Sequence, residues 1–372
     1  MNVPALRFPE FEGEWEEKRL GAFFEEFKSK SDEQDQHEVL TSARTGLVRQ
    51  KDYYDNDRIT DRDNVGFNVI PPDYLTYRSR SDDRKFFFNE NKLGITGIIS
   101  IYYPVFRIVN GDNNFFAELL ARHSNHIGKF SVGTSQTVLS MNELKRIKLP
   151  IPKANEQKKV AVFLGVVDAK IAALRDRVAG LERYKRGLMQ ALFSQTLRFT
   201  KPDGSPFPDW EEKRLGDLLT VRYGKDHKGI PDGNIPVLGT GGIMRHVDRS
   251  LHDGPSVLIG RKGTIDKPRY VTEPFWTVDT LFYSDIKLGY LPFFAFLVVQ
   301  SINWLKYNEA TGVPSLSATA IHSVKVTVPP HPDEQAKIAE ALSAMDAKII
   351  AVAGQLEKMQ DFKKGLLQQM FV

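Results

Sequence analysis

Apolar side chains recur with a seven-residue period over two stretches of the chain. In the first, Val160, Val167, Leu174, Leu181 and Leu188 form one row, and Leu164, Ile171, Val178, Lys185 and Leu192 form a second. The other stretch repeats the pattern, with Ile338, Met345, Val352, Met359 and Leu366 beside Leu342, Ile349, Leu356, Lys363 and Met370. Spacing that alternates four and three keeps one stripe on a helix and predicts a coiled-coil seam. Roughly 39 residues at ~1.5 Å each predict helices of about 58 Å, too long to be packing elements of one small domain. The matched registers predict that the two helices pack on each other as an antiparallel coiled coil, with one globular domain at each end as on a ruler. The alternative is a surface helix lying on its own domain. Each stretch follows Pro-rich turn chemistry, PIPKANEQ and PPHPDEQ, where Asn155 and Asp333 are the expected N-caps. Lysine interrupts the seam at the same place in both, and a polar seam residue sets register at some cost in stability.

The rest of the chain reads as mixed strands and short helices. Strand-like runs fall at 65–69, 97–102, 105–109 and 147–151, and again at 235–238, 257–259, 275–278 and 324–328. Helical runs fall at 115–125 and 291–301. The predicted class is α+β, with each globular part ending in a strand just before its long helix. The division is 1–153 and 196–331 for the globular domains and 154–195 and 332–372 for the helices.

This order is an internal duplication with pseudo-twofold character. WEEKRLG occurs at 15–21 and at 210–216, after the leads RFPEFEGEW and RFTKPDGSPFPDW. IKLPIP leads to Glu156-Gln157, and VKVTVP leads to Glu334-Gln335. D-A-K-I occurs at 168–171 and at 346–349, and both halves close on two basic residues, Gly-Leu and then Phe193 or Phe371. The frame is repeated while the interior has diverged. That is what one chain needs to meet two similar partners or two half-sites.

Composition narrows the classes. Of the 372 residues, 41% are hydrophobic and 26% charged, as in a globular protein that buries a core. No apolar run reaches the ~20 residues of a membrane span, and the acidic start lacks a signal-peptide core. No membrane association is expected. Cysteine is absent, which excludes disulfides and thiolate metal sites. A cytoplasmic location is the default expectation. The net charge of +4 is small, so any DNA-binding surface must be a local patch.

One such patch is the stretch 41–92, where Arg44, Arg49, Lys51, Arg58, Arg62, Arg78, Arg80, Arg84, Lys85 and Lys92 interleave with Tyr53, Tyr54, Tyr74 and Tyr77. Basic and aromatic residues together suit phosphates and bases, and a solvated loop is the plainer reading. In the second domain GTGG (239–242), GRKGT (260–264) and TGVPS (311–315) let backbone approach a ligand closely. Catalytic signatures are missing: no phosphate-binding Gly-rich loop, no H-E-x-x-H, no zinc spacing and no nucleophile elbow. PDWEEK superficially resembles nuclease carboxylates, but its twin GEWEEK lacks the Pro-Asp. No metal site and no catalytic residue are expected.

The sequence of domain, helix, domain, helix, joined through E-Q, D-A-K-I and the basic Gly-Leu close, resembles the specificity subunits of Type I restriction-modification systems. VLIGRKGTID and FWTVDTLF (257–282), and YLTYRSRS (74–81) with GITGIIS (94–100), are similar to that family's recurrent blocks. The resemblance covers essentially the whole chain. It implies two target recognition domains reading a bipartite double-stranded DNA sequence, with the helices as spacers. It also implies two modification (methyltransferase) subunits and restriction subunits as partners, which would carry S-adenosylmethionine, ATP and Mg. This chain would then be a non-catalytic specificity subunit. The alternatives are a coiled-coil adaptor without a DNA role and a self-sufficient enzyme with an unrecognised site. The candidate DNA-binding residues are Arg44, Arg78, Arg80, Lys92 and Gln136 in the first domain. In the second they are Lys225, Arg261, Lys262, Lys267 and Ser315. Arg and Lys suit guanine O6 and N7, and Gln136 suits adenine.

Overall fold

In the computed structural model, which describes residues 2–44, 46–53 and 63–372, the EEKR of the repeated heptapeptide is a strand and its Leu-Gly end begins a helical turn in both copies. Glu16–Arg19 pairs antiparallel with Lys148–Ile151, and Glu211–Arg214 pairs antiparallel with Lys325–Val328. The first and last strands of each globular part are thereby tied together just before its long helix begins. The heptapeptide's glycine has a packing reason. A Cβ on Gly21 would lie 3.0 Å from the Lys145 carbonyl oxygen, and one on Gly216 would lie 3.1 Å from His322 Cβ. In both copies the backbone therefore lies close against the short helix that precedes the closing strand, Met141–Arg146 or Ala318–Ser323.

Two compact units result. One comprises Met1–Arg175 with Gly354–Val372, and the other comprises Asp176–Ala353. In the first, a four-stranded sheet runs Phe24–Phe27, Val105–Ile108, Leu75–Tyr77, Phe88–Glu90. In the second, Leu219–Tyr223, Leu281–Ile286, Ser256–Gly260, Arg269–Val271 stand in the same order. Each unit has a second sheet built on a hairpin. These hairpins are Glu38–Ala43 with Gly46–Arg49, and Ile235–Gly239 with Gly242–Val247. A parallel neighbour flanks each one, Gly97–Ile99 or Trp276–Thr277. The first unit adds one strand to that sheet, Asn68–Ile70.

Several local expectations shift by a few residues. The run at 65–69 begins its strand only at Asn68, because Val65-Gly66 form a turn with Gly66 at positive φ. The strand at 97–102 ends at Ile99, where residues 100–103 turn back. The helix expected at 115–125 is Asn113–Arg122, started by Asp112, whose carboxylate accepts the Phe115 amide. The long helices are Ala154–Phe193 and Pro332–Met370. Asn155 and Asp333 are therefore not N-caps but lie inside the first turn. The carbonyls of Lys153 and His331 take the first helical bonds, and the His331 ring accepts the Asp333 amide.

Both long helices are anchored by their E-Q pair. Glu156 is buried and accepts two bonds from the Arg7 guanidinium, at 2.7 and 2.8 Å, and one from the Trp15 indole at 3.0 Å. Glu334 is equally buried and accepts from Arg198 at 3.1 and 3.0 Å and from Trp210 at 3.1 Å. The forked geometry and the indole compensate a carboxylate taken out of water. In return, the hydrogen bonds to Glu156 and Glu334 hold the two guanidiniums above their usual pKa. The neighbouring Gln157 and Gln335 bridge backbone: Gln157 donates to the Pro152 carbonyl and accepts from the Asp112 amide, while Gln335 donates to Pro329 and accepts from Leu291.

Within each unit, the start of one long helix lies beside the end of the other, so the pairing is antiparallel. In the first unit Val160, Leu164, Val167 and Ile171 share a core with Leu366, Met370 and Phe371, flanked by Leu356 and Met359. In the second, Ile338, Ala339 and Leu342 share a core with Leu192, flanked by Leu188 and Phe193. Leu174, Val178, Leu181, Met345, Ile349 and Val352 are likewise buried or half-buried. Phe371 stacks on Phe115 at 5.4 Å, and Phe193 stacks on Phe294 at 6.3 Å. The lysines that interrupt the seam are paired with the aspartates of D-A-K-I. Lys363 meets Asp168 at 2.8 Å in one unit, and Lys185 meets Asp346 at 2.6 Å in the other. Lys363 also bonds Glu118 on the first domain's helix at 2.6 Å. Burial alone would lower the Lys363 pKa, but the bonds to Asp168 and Glu118 outweigh it and raise it.

Removing the carboxylate with Glu156→Ala or Glu334→Ala leaves a guanidinium and an indole without their partner. Each should cost its unit about 3 kcal/mol, read as a lower urea midpoint by tryptophan fluorescence. For the partly exposed Lys185–Asp346 pair, a double-mutant cycle with Lys185→Met and Asp346→Asn should return a coupling of about 1 kcal/mol.

Candidate nucleic-acid interface

Equivalent loops gather on each domain. The first domain's hairpin leaves its strand through Arg44, after Ala43, and re-enters at Gly46, and the second domain's turn is Thr240-Gly241, between Gly239 and Gly242. Beside each turn lies the segment that follows the third-ranked strand of the main sheet, residues 78–81 or 261–264. The bonds holding these segments correspond. Ser79 donates its amide to Tyr102 and takes the Leu139 amide on its carbonyl. Arg261 donates to Thr280 and takes the Leu316 amide. The third strand of the cluster is Thr137–Val138 pairing Arg80–Ser81 in one domain and Ser315 bridging Lys262 in the other. The three Gly-rich segments of the second domain thus converge, and Gly263 approaches Thr240 with room for only an ordinary contact.

In the first domain these loops line a pocket of about 340 Å³ that includes Arg44, Arg78, Arg80, Lys85, Tyr53 and Phe87. Arg44 lies 5.4 Å over the Phe87 ring, and Arg80 lies 4.0 Å over Tyr102. Such stacking orients a guanidinium without consuming its donors. Asp82 and Asp83 also line the pocket. Gln136 donates to Asp82 at 3.4 Å, so it joins the group through that carboxylate. Asp83 sits 3.4 Å from Arg44, and the Ser81 hydroxyl, the Lys85 amide and the Arg44 charge hold its carboxyl below the usual range. Lys92 stands apart. It bonds Asn114 at 2.6 Å and Glu90 at 3.2 Å, beyond the Leu75–Glu90 end of the strand pair, whereas Arg78 follows the opposite, Tyr77–Phe88 end. Arg49 and Lys51 are both engaged by Glu38. Tyr54, Arg58 and Arg62 lie outside the described residues.

In the second domain the pocket is about 610 Å³, and Lys225, Lys228, Thr240, Gly241, Asp279 and Thr280 are among its lining. Arg261 stands at its edge. It donates to the Asp279 carbonyl at 3.1 Å and lies 5.5 Å over Tyr223 and 6.0 Å over Phe282. Lys262 and Ser315 face each other across their bridge. Lys267 is exposed on the loop leading to Arg269–Val271 and does not line the pocket. Sequence reading missed Arg269, which donates to the Gly239 carbonyl and so holds the GTGG turn. Its burial lowers its pKa from the ordinary value. Lys85 and Tyr102 in the first domain, and Lys228, Asp279 and Tyr223 in the second, were missed as well. Two of these carried a sequence signal without being chosen, Lys85 as one of the basic run and Asp279 within FWTVDTLF.

Among the described residues no group of acids and histidines could hold a metal ion, and no helix is long and apolar enough to cross a membrane. The chain matches the family described as Type I restriction modification DNA specificity domain over residues 12–183 and 208–360. It is 25% identical over 264 residues to the putative type I restriction enzyme MjaX specificity subunit of Methanocaldococcus jannaschii, covering 63% of this chain and 60% of that one. It is 24% identical over 271 residues to the MjaVIII specificity subunit of the same organism, covering 63% of this chain and 64% of that one. The chain thus spans less than two thirds of the length of either relative. Among solved structures, the type I restriction-modification S subunit from M. genitalium superposes with a TM-score of 0.64 at 16% identity, over 100% of this chain and 99% of that one. A chain from a structure concerned with assembly and conformational transition of the type I R-M system superposes with a TM-score of 0.56 at 15% identity, over 96% and 97% of the two chains.

Because Arg269 anchors the GTGG turn, Arg269→Met should raise amide hydrogen exchange at residues 240–242 by about tenfold while leaving the central strand Ser256–Gly260 protected.

Proposed function

The chain belongs to the type I restriction-modification DNA specificity family, and on that premise we propose that its two globular domains read the two halves of a bipartite double-stranded DNA target. The observation that carries this reading is the pair of equivalent loop clusters. One frame is used twice, and at the same topological positions it offers Arg44, Arg78, Arg80 and Gln136 in one domain and Thr240, Arg261, Lys262 and Ser315 in the other. Identical frames suit identical partners, and different side chains suit different half-sites. The mixture of charges fits base reading better than phosphate binding alone: a guanidinium suits guanine, and a carboxylate such as Asp279 suits the cytosine amino group. Lys92 and Lys267, which lie outside the clusters, take the role of phosphate contacts at most.

In this reading the chain is a non-catalytic, cytoplasmic scaffold. Two modification subunits dock on the repeated frame, and restriction subunits complete the nuclease. S-adenosylmethionine, ATP and Mg reside on those partners.

Co-expression with a modification subunit followed by adenine-methylome sequencing should reveal one methylated motif of two half-sites with a fixed gap. A stable complex that methylates no defined sequence would overturn the proposal. In that complex, Arg261→Ala should lower affinity for the motif by about tenfold and relax one base in a single half-site. Lys92→Ala should leave base preference unchanged and at most flatten the salt dependence.

A further inference from the structure

The second domain's hairpin is irregular where the first domain's is regular. From Ala43↔Gly46 to Leu40↔Arg49 the first hairpin pairs residue for residue, and Leu47 turns into the core at 7% exposure. In the second, the register slips between Val237 and Leu238: Val237 faces Arg245 and Leu238 faces Ile243, so Met244 is an extra residue without a partner. Neighbours on a regular strand point to opposite faces, but a bulge re-aims one of them. Here Ile243 and Met244 are both exposed, at 62% and 59%. Met244 reaches over Gly239, where a Cβ would stand 2.9 Å from its sulfur. Both apolar side chains line the pocket that also holds Lys225 and Lys228, next to a turn with open space around Gly241.

We propose that Ile243 and Met244 form an apolar wedge that enters a base step of the half-site bound by the second domain, so that this half-site is unstacked and bent while the other is not. The inference rests on the reading that these domains contact DNA. Two side chains are far too little surface for a stable protein interface, which takes about 800 Å² per partner. They are enough for a wedge, which needs one or two aliphatic groups between bases and cations beside it for the flanking phosphates. Lys225 and Lys228 supply those cations. Asp226 between them stays ionised, its carboxylate held by the Lys228 amide, so Lys225, Asp226 and Lys228 together leave one net positive charge at the turn. Sequence choice would follow partly from how easily the step opens, favouring pyrimidine–purine steps.

The test uses the complex with modification subunits and duplexes carrying its methylated motif, with 2-aminopurine placed in turn through each half-site except at the methylated adenine and its neighbours, which a methyltransferase unstacks by itself. With the unaltered chain, fluorescence should rise several-fold at one step in the second domain's half-site only, and phasing gels should show a bend centred there. Ile243→Ala/Met244→Ala should abolish both and weaken binding about tenfold at an unchanged salt slope, because no phosphate contact is lost. Ile243→Leu/Met244→Leu should restore them, which separates the wedge from any effect on folding. No fluorescence rise at any position, or an equal rise with the alanine variant, would overturn the wedge while leaving DNA recognition intact. Loss of modification-subunit association in the alanine variant would reassign the surface to protein docking. Absence of any salt-dependent DNA binding would remove the underlying reading itself.

Discussion

A buried carboxylate held by a forked guanidinium and an indole is the constraint on which the rest depends. Glu156 and Glu334 stand in the first turn of the long helices, while their Arg and Trp partners come from the lead into the first strand. A charge at that depth is tolerated only when every oxygen is engaged. The position of the helix start is therefore coupled to the position of the chain's lead and of the closing strand. Each unit repeats this clamp, so each presents its helix in the same way regardless of what its loops have become.

The seam adds specificity of register to that clamp. An all-apolar stripe can slide by a heptad with little penalty, whereas Lys185 and Lys363 would then lose Asp346 and Asp168. The residue numbers at the two crossings add to the same total, as antiparallel pairing in one register requires. The crossings are not equal. Lys363 also binds Glu118, so the first domain's helix is tied directly to the seam, and Lys185 has no such bond among those described. The pseudo-symmetry of the frame is thus broken where the domains attach.

Apart from the extra strand Asn68–Ile70, the bulge at Met244 and the Lys363–Glu118 bond, divergence falls in the loops that a repeated frame leaves free. The main sheets share their strand order, and the bonds at Ser79 and Arg261 correspond atom for atom along the backbone. Between those fixed points, one domain has an arginine-tipped turn over aromatic rings and the other a Gly-rich turn held by a buried arginine and followed by a bulge. Backbone bonds preserve the platform while the side chains on it are free to change.

The sequence by itself determined the long helices, their seam, the duplication and the α+β class, because heptad spacing and repeated words are written along one dimension. It also marked Arg44, Arg78, Arg80, Arg261 and Lys262 through local basic and Gly-rich runs. Only the tertiary structure decided what those words do. Arg7 and Glu156 are 149 positions apart, Arg198 and Glu334 are 136, and Lys363 and Asp168 are 195. No periodicity links such residues, since their pairing follows from how the chain returns on itself. The same holds for EEKR, too charged to read as a strand until its partner strand is in place, and for Lys92, basic like its neighbours but carried to the far end of a strand pair. The bulge at Met244 is likewise invisible in the order of residues, because it arises from a slip between two strands and not from either one alone.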